Sequence, residues 1–145
     1  MSRARTLLVG SNDDFLDGVV DWMAEDVNFQ VVGRAHSGTH AMDQLDVLRA
    51  DLVLVDVILP DMSGFEVARR MKAREDAPLV VLLSFYDTQA ARLEAWASGA
   101  DGFVPQPETT TRLKPLVGAL FRQRAINAGE RVSLTRPVGP EDVVE

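Results

Sequence analysis

The residue best placed to do chemistry in this chain is a carboxylate that follows an uninterrupted apolar run. Asp56 comes directly after Leu52-Val53-Leu54-Val55, and the Pro60 and Gly64 that follow indicate a shaped loop. Four consecutive aliphatic residues are typical of a strand buried on both faces of a parallel sheet. Ligands of open α/β sheets bind just beyond the carboxyl ends of such strands, where Asp56 is expected. On position alone, Asp56 could equally be a turn former or a helix cap.

Two further polar side chains are predicted at the same edge of the sheet. Ser84 ends the apolar run 79–83, and Gln106 follows the short run 102–104, which contains Phe103. Because the carboxyl ends of parallel strands lie at one edge, the hydroxyl and the amide are expected near Asp56. The predicted site therefore combines one carboxylate with two neutral hydrogen-bonding groups.

The side chains of Asp56, Ser84 and Gln106 must be positioned by the strands and helices whose patterns alternate over the first 128 residues. Strands are predicted at residues 6–9, 29–35, 52–55, 79–83 and 102–104. Helices are predicted to follow them: the first extends to about residue 26, the second is capped by Ser37 or Thr39, and the others cover 64–74, 87–98 and 109–128. This order implies one α/β domain, residues 1–128, with a parallel sheet and helices on both faces. Residues 129–145 contain two prolines and an acidic end, and they predict a flexible tail.

Composition excludes several classes of function. The 145 residues carry a formal net charge of −7, which disfavours direct nucleic-acid binding through a basic surface. The absence of Cys rules out disulfides and Cys-ligated metal centres, and it fits a reducing cytoplasm. No apolar stretch is long enough to span a membrane, and the N-terminal run is too short for a signal peptide. We therefore expect a cytoplasmic protein without a membrane partner.

Three segments together resemble the receiver domain of two-component response regulators. Residues 52–64 are similar to that family's phosphoacceptor segment, in which an Asp after an apolar strand is followed by Pro, Met and Gly. Residues 79–84 resemble its strand ending in Ser or Thr, and residues 99–107 resemble its Gly-Ala-Asp-Gly-aromatic segment. The resemblance covers roughly residues 5–128. It implies the flavodoxin-like fold, a doubly wound five-stranded parallel sheet in the order 2-1-3-4-5.

The resemblance also implies a signalling function in a phosphorelay. Asp56 would accept a phosphoryl group from a histidine kinase or a phosphotransfer protein, and Ser84 would bind the new phosphoryl oxygens. Phe103 would be the rotating aromatic that carries the change to the surface of the fourth helix, fifth strand and fifth helix. The output would be changed binding of a downstream protein, a homodimer, or control of an effector domain missing from this chain. Enzymatic activity would be limited to self-catalysed phosphoryl transfer onto Asp56 and its hydrolysis.

The chain departs from the family at three positions of the phosphorylation pocket. Gly10 and Ser11 occupy the places of the usual acidic pair, and Gln106 replaces the usual Lys. Two unit charges about 4 Å apart interact by about 4 kcal/mol at an effective dielectric of about 20, so losing both anions lessens the need for a cation. No cofactor is therefore required. Mg²⁺ is possible but would have Asp56 as its main ligand, with Asp13 as a weaker second candidate if the first loop is remodelled; the plainer interpretation of Asp13 is a helix cap.

Other functions stay open at this point. A phosphorylation-independent pseudo-receiver could act as a protein-interaction adaptor. A phosphatase of the haloacid-dehalogenase kind would need a second Asp two residues after Asp56, where this chain has Ile58. A flavodoxin-like cofactor binder would have to cradle a phosphate with the loop at residues 10–12. His36 and His40 have a spacing that can bind metal, but no third ligand is evident, so we expect exposed polar residues.

Overall fold

The computed structural model describes residues 3–129, in which five strands alternate with five helices. The strands are β1 (Ala4–Val9), β2 (Phe29–Ala35), β3 (Leu52–Asp56), β4 (Leu79–Ser84) and β5 (Gly102–Pro105). The helices are α1 (Asp13–Ala24), α2 (Gly38–Leu48), α3 (Gly64–Lys72), α4 (Gln89–Ala97) and α5 (Thr109–Gly129), with a 3₁₀ turn, Gln106–Glu108, before α5. All pairings are parallel and the order is β2-β1-β3-β4-β5, which confirms the predicted fold.

Alternate side chains of the central strands enter two separate apolar cores. On one face, residues of β1, β3, β4 and β5 pack against α2, α3 and α4: Leu7, Val9, Val53, Val55, Val80, Leu82 and Phe103. On the other face they pack against α1 and α5: Leu8, Leu52, Leu54, Val81, Leu83 and Val104. The apolar run before Asp56 thus has no exposed face, as expected for a central parallel strand.

The helix boundaries follow from local capping. Asn12, Ser37, Ser63 and Thr88 each accept a hydrogen bond from a backbone N–H in the first turn of the helix that follows. Gly99 follows Ser98, the C-cap residue of α4, and has φ of +85°, a left-handed conformation that favours glycine. The four N-caps end the loops after β1, β2, β3 and β4, so these loops stay close to the carboxyl edge of the sheet.

Some predicted boundaries are wrong by two residues. The fourth helix begins at Gln89 rather than at residue 87, because Thr88 caps it and the Asp87 carboxylate pairs with Arg92. The first helix ends at Ala24, where the following amides bond three residues back and tighten the last turn. The predicted tail lies outside the described residues, apart from Gly129, which still belongs to α5. No helix between residues 3 and 129 has the length and apolarity needed to cross a membrane.

Gly64 is required by a close approach between α3 and the end of β3. A Cβ at this position would lie 2.8 Å from Cα of Val57 and closer still to the carbonyl oxygen of Asp56. Both are backbone atoms and cannot turn away as a flexible side chain can. The amide of Gly64 also donates to the carbonyl of Val57 over 2.7 Å. The glycine therefore allows α3 to start directly beneath the candidate site.

We expect Gly64→Ala to lower the free energy of unfolding by at least about 2 kcal/mol, because the new methyl overpacks against backbone. Gly18→Ala is the matched control, since a Cβ at this exposed site in α1 meets nothing within 4 Å. There the same substitution should stabilise the protein by about 0.5–1 kcal/mol. Urea unfolding of both variants measures the difference, and equal effects would contradict the packing argument.

Candidate functional site

Strand register brings the predicted site residues to one edge of the sheet. Val9 pairs with Val55, Asp56 with Leu83, and Ser84 with Pro105. Gly10, Asp56, Ser84 and Gln106 therefore lie at or just beyond the carboxyl ends of four adjacent strands, β1, β3, β4 and β5. This is the place at which an open parallel sheet binds ligands.

The carboxylate of Asp56 is partly buried and has only neutral hydrogen-bond donors among its identified partners. The Ile58 amide donates to its Oδ1 over 3.1 Å, and the side-chain amide of Gln106 is near enough to favour the charged form of the carboxylate. Burial raises the pKa of Asp56 above its ordinary value, and the amides of Ile58 and Gln106 offset part of that increase. Gln106 thus occupies the position from which a cationic side chain would face Asp56, and it supplies an amide instead.

Gly10 follows the last residue of β1 and lies beside Asp56. A Cβ at position 10 would lie 3.6 Å from Cβ of Asp56 and 3.3 Å from Cδ2 of Leu16. An acidic side chain at this position would therefore lie against Asp56, and the repulsion between two carboxylates would call for a cation. Glycine at position 10 removes this need, while Ser11 is exposed on the loop that follows.

Asp13 contacts the loop between β2 and α2, and its carboxylate does not pair with that of Asp56 to form a metal site. Its Oδ1 lies 2.7 Å from Nε2 of His36, and both side chains are exposed. Asn12, not Asp13, caps α1. His40 contacts Gln44 at 3.0 Å, so His36 and His40 have separate partners. Within residues 3–129 no group of three or more His, Asp or Glu side chains is arranged to hold a metal ion, so the geometry gives no support to Asp13 as a second Mg²⁺ ligand.

Ser84 and Phe103 lie beside the site, but their side chains contact Tyr86 and the apolar core, respectively. The Ser84 hydroxyl is buried; it donates to the carbonyl of Tyr86 over 2.8 Å and accepts from the amide of Tyr86 over 3.0 Å. Phe103 is 1% exposed and belongs to the core between the sheet and α2, α3 and α4. The bonds to Ser84 shape the β4–α4 loop and leave Phe85 and Tyr86 largely exposed.

Sequence reasoning missed one residue of this edge, Asp61. Its carboxylate accepts hydrogen bonds from the Gly38 amide at 2.8 Å, the Thr39 amide at 2.9 Å and the Thr39 hydroxyl at 2.8 Å. These bonds lower its pKa to about 2. The contact joins residues 22 and 23 positions apart, so no local sequence pattern indicates it.

Comparison with known proteins shows the class of protein that this fold and site define. The response regulator receiver domain family matches residues 7–117, and the chain belongs to this family. It is 33% identical over 100 residues to the DNA-binding transcriptional activator DevR/DosR of Mycobacterium tuberculosis, covering 69% of this chain and 46% of that protein. It is 26% identical over 107 residues to the chemotaxis protein CheY of Listeria monocytogenes, covering 74% of this chain and 90% of CheY.

Solved structures agree with this membership. The signal receiver domain of NarL from Mycobacterium tuberculosis superposes with a TM-score of 0.75 at 27% identity, covering 86% of this chain and 98% of that domain. The chain spans only 31–46% of the length of the first four curated relatives, which include protein-glutamate methylesterases. What the chain shares with them is a receiver domain of two-component signalling. Because the chain belongs to the receiver domain family, we set aside the small phosphatase and the flavodoxin-like cofactor binder.

We expect Asp56→Asn to stabilise the protein at pH 7. Folding raises the pKa of the Asp56 carboxyl above its ordinary value of 3.8. The folded protein therefore loses stability as the pH rises from 3.8 through the pKa of the folded state. The amide variant has no such loss, so its advantage should be present at pH 7 and disappear below pH 3.8. Urea unfolding across this range measures the difference. Asp43→Asn, at an exposed site on α2, controls for the loss of one negative charge, and a matching pH profile there would contradict the assignment to Asp56.

Proposed function

We propose that this receiver domain accepts a phosphoryl group on Asp56 from a histidine kinase or a phosphotransfer protein in the cytoplasm. The observation that carries the proposal is the partly buried carboxylate at the carboxyl end of β3, beside Gly10, hydrogen-bonded by the Ile58 amide and near the side-chain amide of Gln106. In the transfer, the P–N bond of a phosphohistidine breaks and a P–O bond to Asp56 forms. The imidazole of the donor is released and takes up a proton from solvent.

The pocket would carry out this transfer mainly with neutral groups. Phosphoryl transfer depends on positioning and on stabilising charge at the equatorial oxygens. Here the groups near Asp56 are the Ile58 amide, the Gln106 amide and, after its bonds to Tyr86 open, the Ser84 hydroxyl. Mg²⁺ prefers several hard oxygen ligands in octahedral geometry, and Asp56 would be its main protein carboxylate. We therefore expect transfer that is slow and nearly independent of Mg²⁺.

The output would begin at the β4–α4 loop. If Ser84 turns toward a phosphoryl group, the Tyr86 backbone loses both of its bonds to the hydroxyl, and the exposed Phe85 and Tyr86 change position. Phe103 would respond within the core behind this loop. The neighbouring surface of α4 exposes Leu93 and Trp96 at 52% and 49%. A change there would alter binding of a downstream protein, an effector domain or a second copy of the chain.

Intact-mass analysis tests the proposal. Wild-type protein incubated with a phosphorylated histidine phosphotransfer protein, or with phosphoramidate, should gain about 80 Da, the mass of one phosphoryl group. Asp56→Asn should gain nothing, and chelation of Mg²⁺ should change the wild-type rate by less than about twofold, since the pocket offers few hard ligands. Asp51→Asn, in the loop before β3, is the control and should gain the same mass. A gain that survives Asp56→Asn would contradict the assignment.

Restoring the usual charges should create a dependence on Mg²⁺. In the double variant Gly10→Asp/Gln106→Lys, a carboxylate and an ammonium group would flank Asp56, and the new Cβ at position 10 requires a shift of the flexible Leu16 side chain alone. We expect phosphorylation with Mg²⁺ at least about tenfold faster than in the wild type, because one well-placed electrostatic contact can contribute about 10²–10³ in rate. Gly18→Asp/Gln106→Lys places the new carboxylate on the exposed side of α1 and is the matched control. Equal Mg²⁺ effects in both double variants would contradict the role of position 10.

A second candidate function is a phosphorylation-independent adaptor. It is favoured by the neutral partners of Asp56 and by the engagement of Ser84 with Tyr86. No mass gain with any donor, together with equal partner binding by the wild type and Asp56→Asn, would select the adaptor over the phosphoacceptor.

A further inference from the structure

We propose that Asp61 is a positioning residue for the site: by binding the N-terminus of α2, it holds the loop 57–63 so that the Ile58 amide faces Asp56. The inference deepens the proposed function of Asp56 and rests on it. Asp61 lies five residues after Asp56 and is exposed, so it acts through the loop and α2.

The carboxylate of Asp61 satisfies donors that α2 cannot satisfy by itself. The first amides of a helix have no partner within the helix. Those of Gly38 and Thr39 donate to Oδ1 and Oδ2 of Asp61, and the Thr39 hydroxyl also donates to Oδ2. The positive end of the helix dipole favours the negative charge, in agreement with the low pKa of Asp61.

The helix also has an N-cap from its own segment, and that cap serves a different amide from those that Asp61 binds. The Ser37 hydroxyl accepts a hydrogen bond from the amide of His40 in the usual manner of an N-cap. Ser37 belongs to the segment that leads into α2, whereas Asp61 comes from the loop after β3. The additional effect of Asp61 is to join two βα loops at the carboxyl edge of the sheet.

Hydrogen bonds hold the loop 57–63 at both ends and, between them, at Asp61. At its start the Ile58 amide donates to Asp56, and at its end the Gly64 amide donates to the carbonyl of Val57. Between these bonds, Met62 lies against Gly38, where a Cβ would come within 2.6 Å of its Sδ. Without Asp61, the middle of the loop would keep only the apolar contacts of Leu59 and Met62 with the core, which do not fix the direction of a backbone amide. The orientation of the Ile58 amide would then be less well defined.

Hydrogen exchange of the Ile58 amide, measured by NMR on unphosphorylated protein, tests the inference. In Asp61→Ala the Ile58 amide should exchange about tenfold faster or more, because the loop opens more easily. The Val57 amide, which donates to Leu83 of β4, should not change and serves as the internal reference. Phosphorylation of Asp56 in the same variant should slow by about threefold or more, since misplaced groups reduce transfer.

Ser37→Ala is the matched control, because it removes a cap from the same helix without touching the loop 57–63. It should lower the stability of the protein and leave both the Ile58 exchange rate and the phosphorylation rate unchanged. Asp61→Asn keeps the size of the side chain and one acceptor, so it should fold and show intermediate effects. If Ser37→Ala accelerates Ile58 exchange as much as Asp61→Ala does, Asp61 is only a cap and the inference fails.

The two readouts separate this inference from the proposed function. Faster Ile58 exchange in Asp61→Ala, with no phosphorylation of the wild type by any donor, would support the positioning role and contradict the phosphoacceptor. Phosphorylation of the wild type with unchanged Ile58 exchange in Asp61→Ala would support the phosphoacceptor and contradict the positioning role.

Discussion

The burial of β3 on both faces of the sheet is the constraint on which the rest of the structure depends. Its four aliphatic residues are at most 1% exposed and divide between two apolar cores, so the strand must lie at the centre of the sheet. The first polar residue after them therefore emerges at the carboxyl edge. Because β1 and β4 pair with β3 on either side, Gly10 and Ser84 are carried to the same edge. The site is thus a consequence of core packing.

The chemistry of the site depends on the neutral groups near the Asp56 carboxylate. A partly buried carboxylate without a cationic partner is disfavoured, and the pKa of Asp56 is accordingly raised. Two amides, from Ile58 and Gln106, reduce this cost, and Gly10 adds no second negative charge. These features are consistent with one another, since a pocket with fewer anions has less need of a cation.

The loops at the carboxyl edge are joined to one another by side chains of two other aspartates. The pair between Asp13 and His36 connects the start of α1 to the loop between β2 and α2. The bonds from Asp61 to the start of α2 connect the same region to the loop between β3 and α3. These contacts act between segments about 20 residues apart in sequence. Both carboxylates are exposed, so they order the edge of the site without adding charge to its interior.

Apolar periodicity and capping residues in the sequence were sufficient for the five strands, the five helices and the position of Asp56, whereas the sheet order was predicted from the resemblance to receiver domains. They were sufficient because burial and helix capping are short-range patterns that each segment carries itself. Boundaries such as the start of α4 required the structure, since the Asp87–Arg92 pair competes with capping. The partners of Asp13 and Asp61 also depended on the tertiary structure. Side-chain hydrogen bonds between exposed loops require exact distances, and these distances arise only when the sheet and helices have packed.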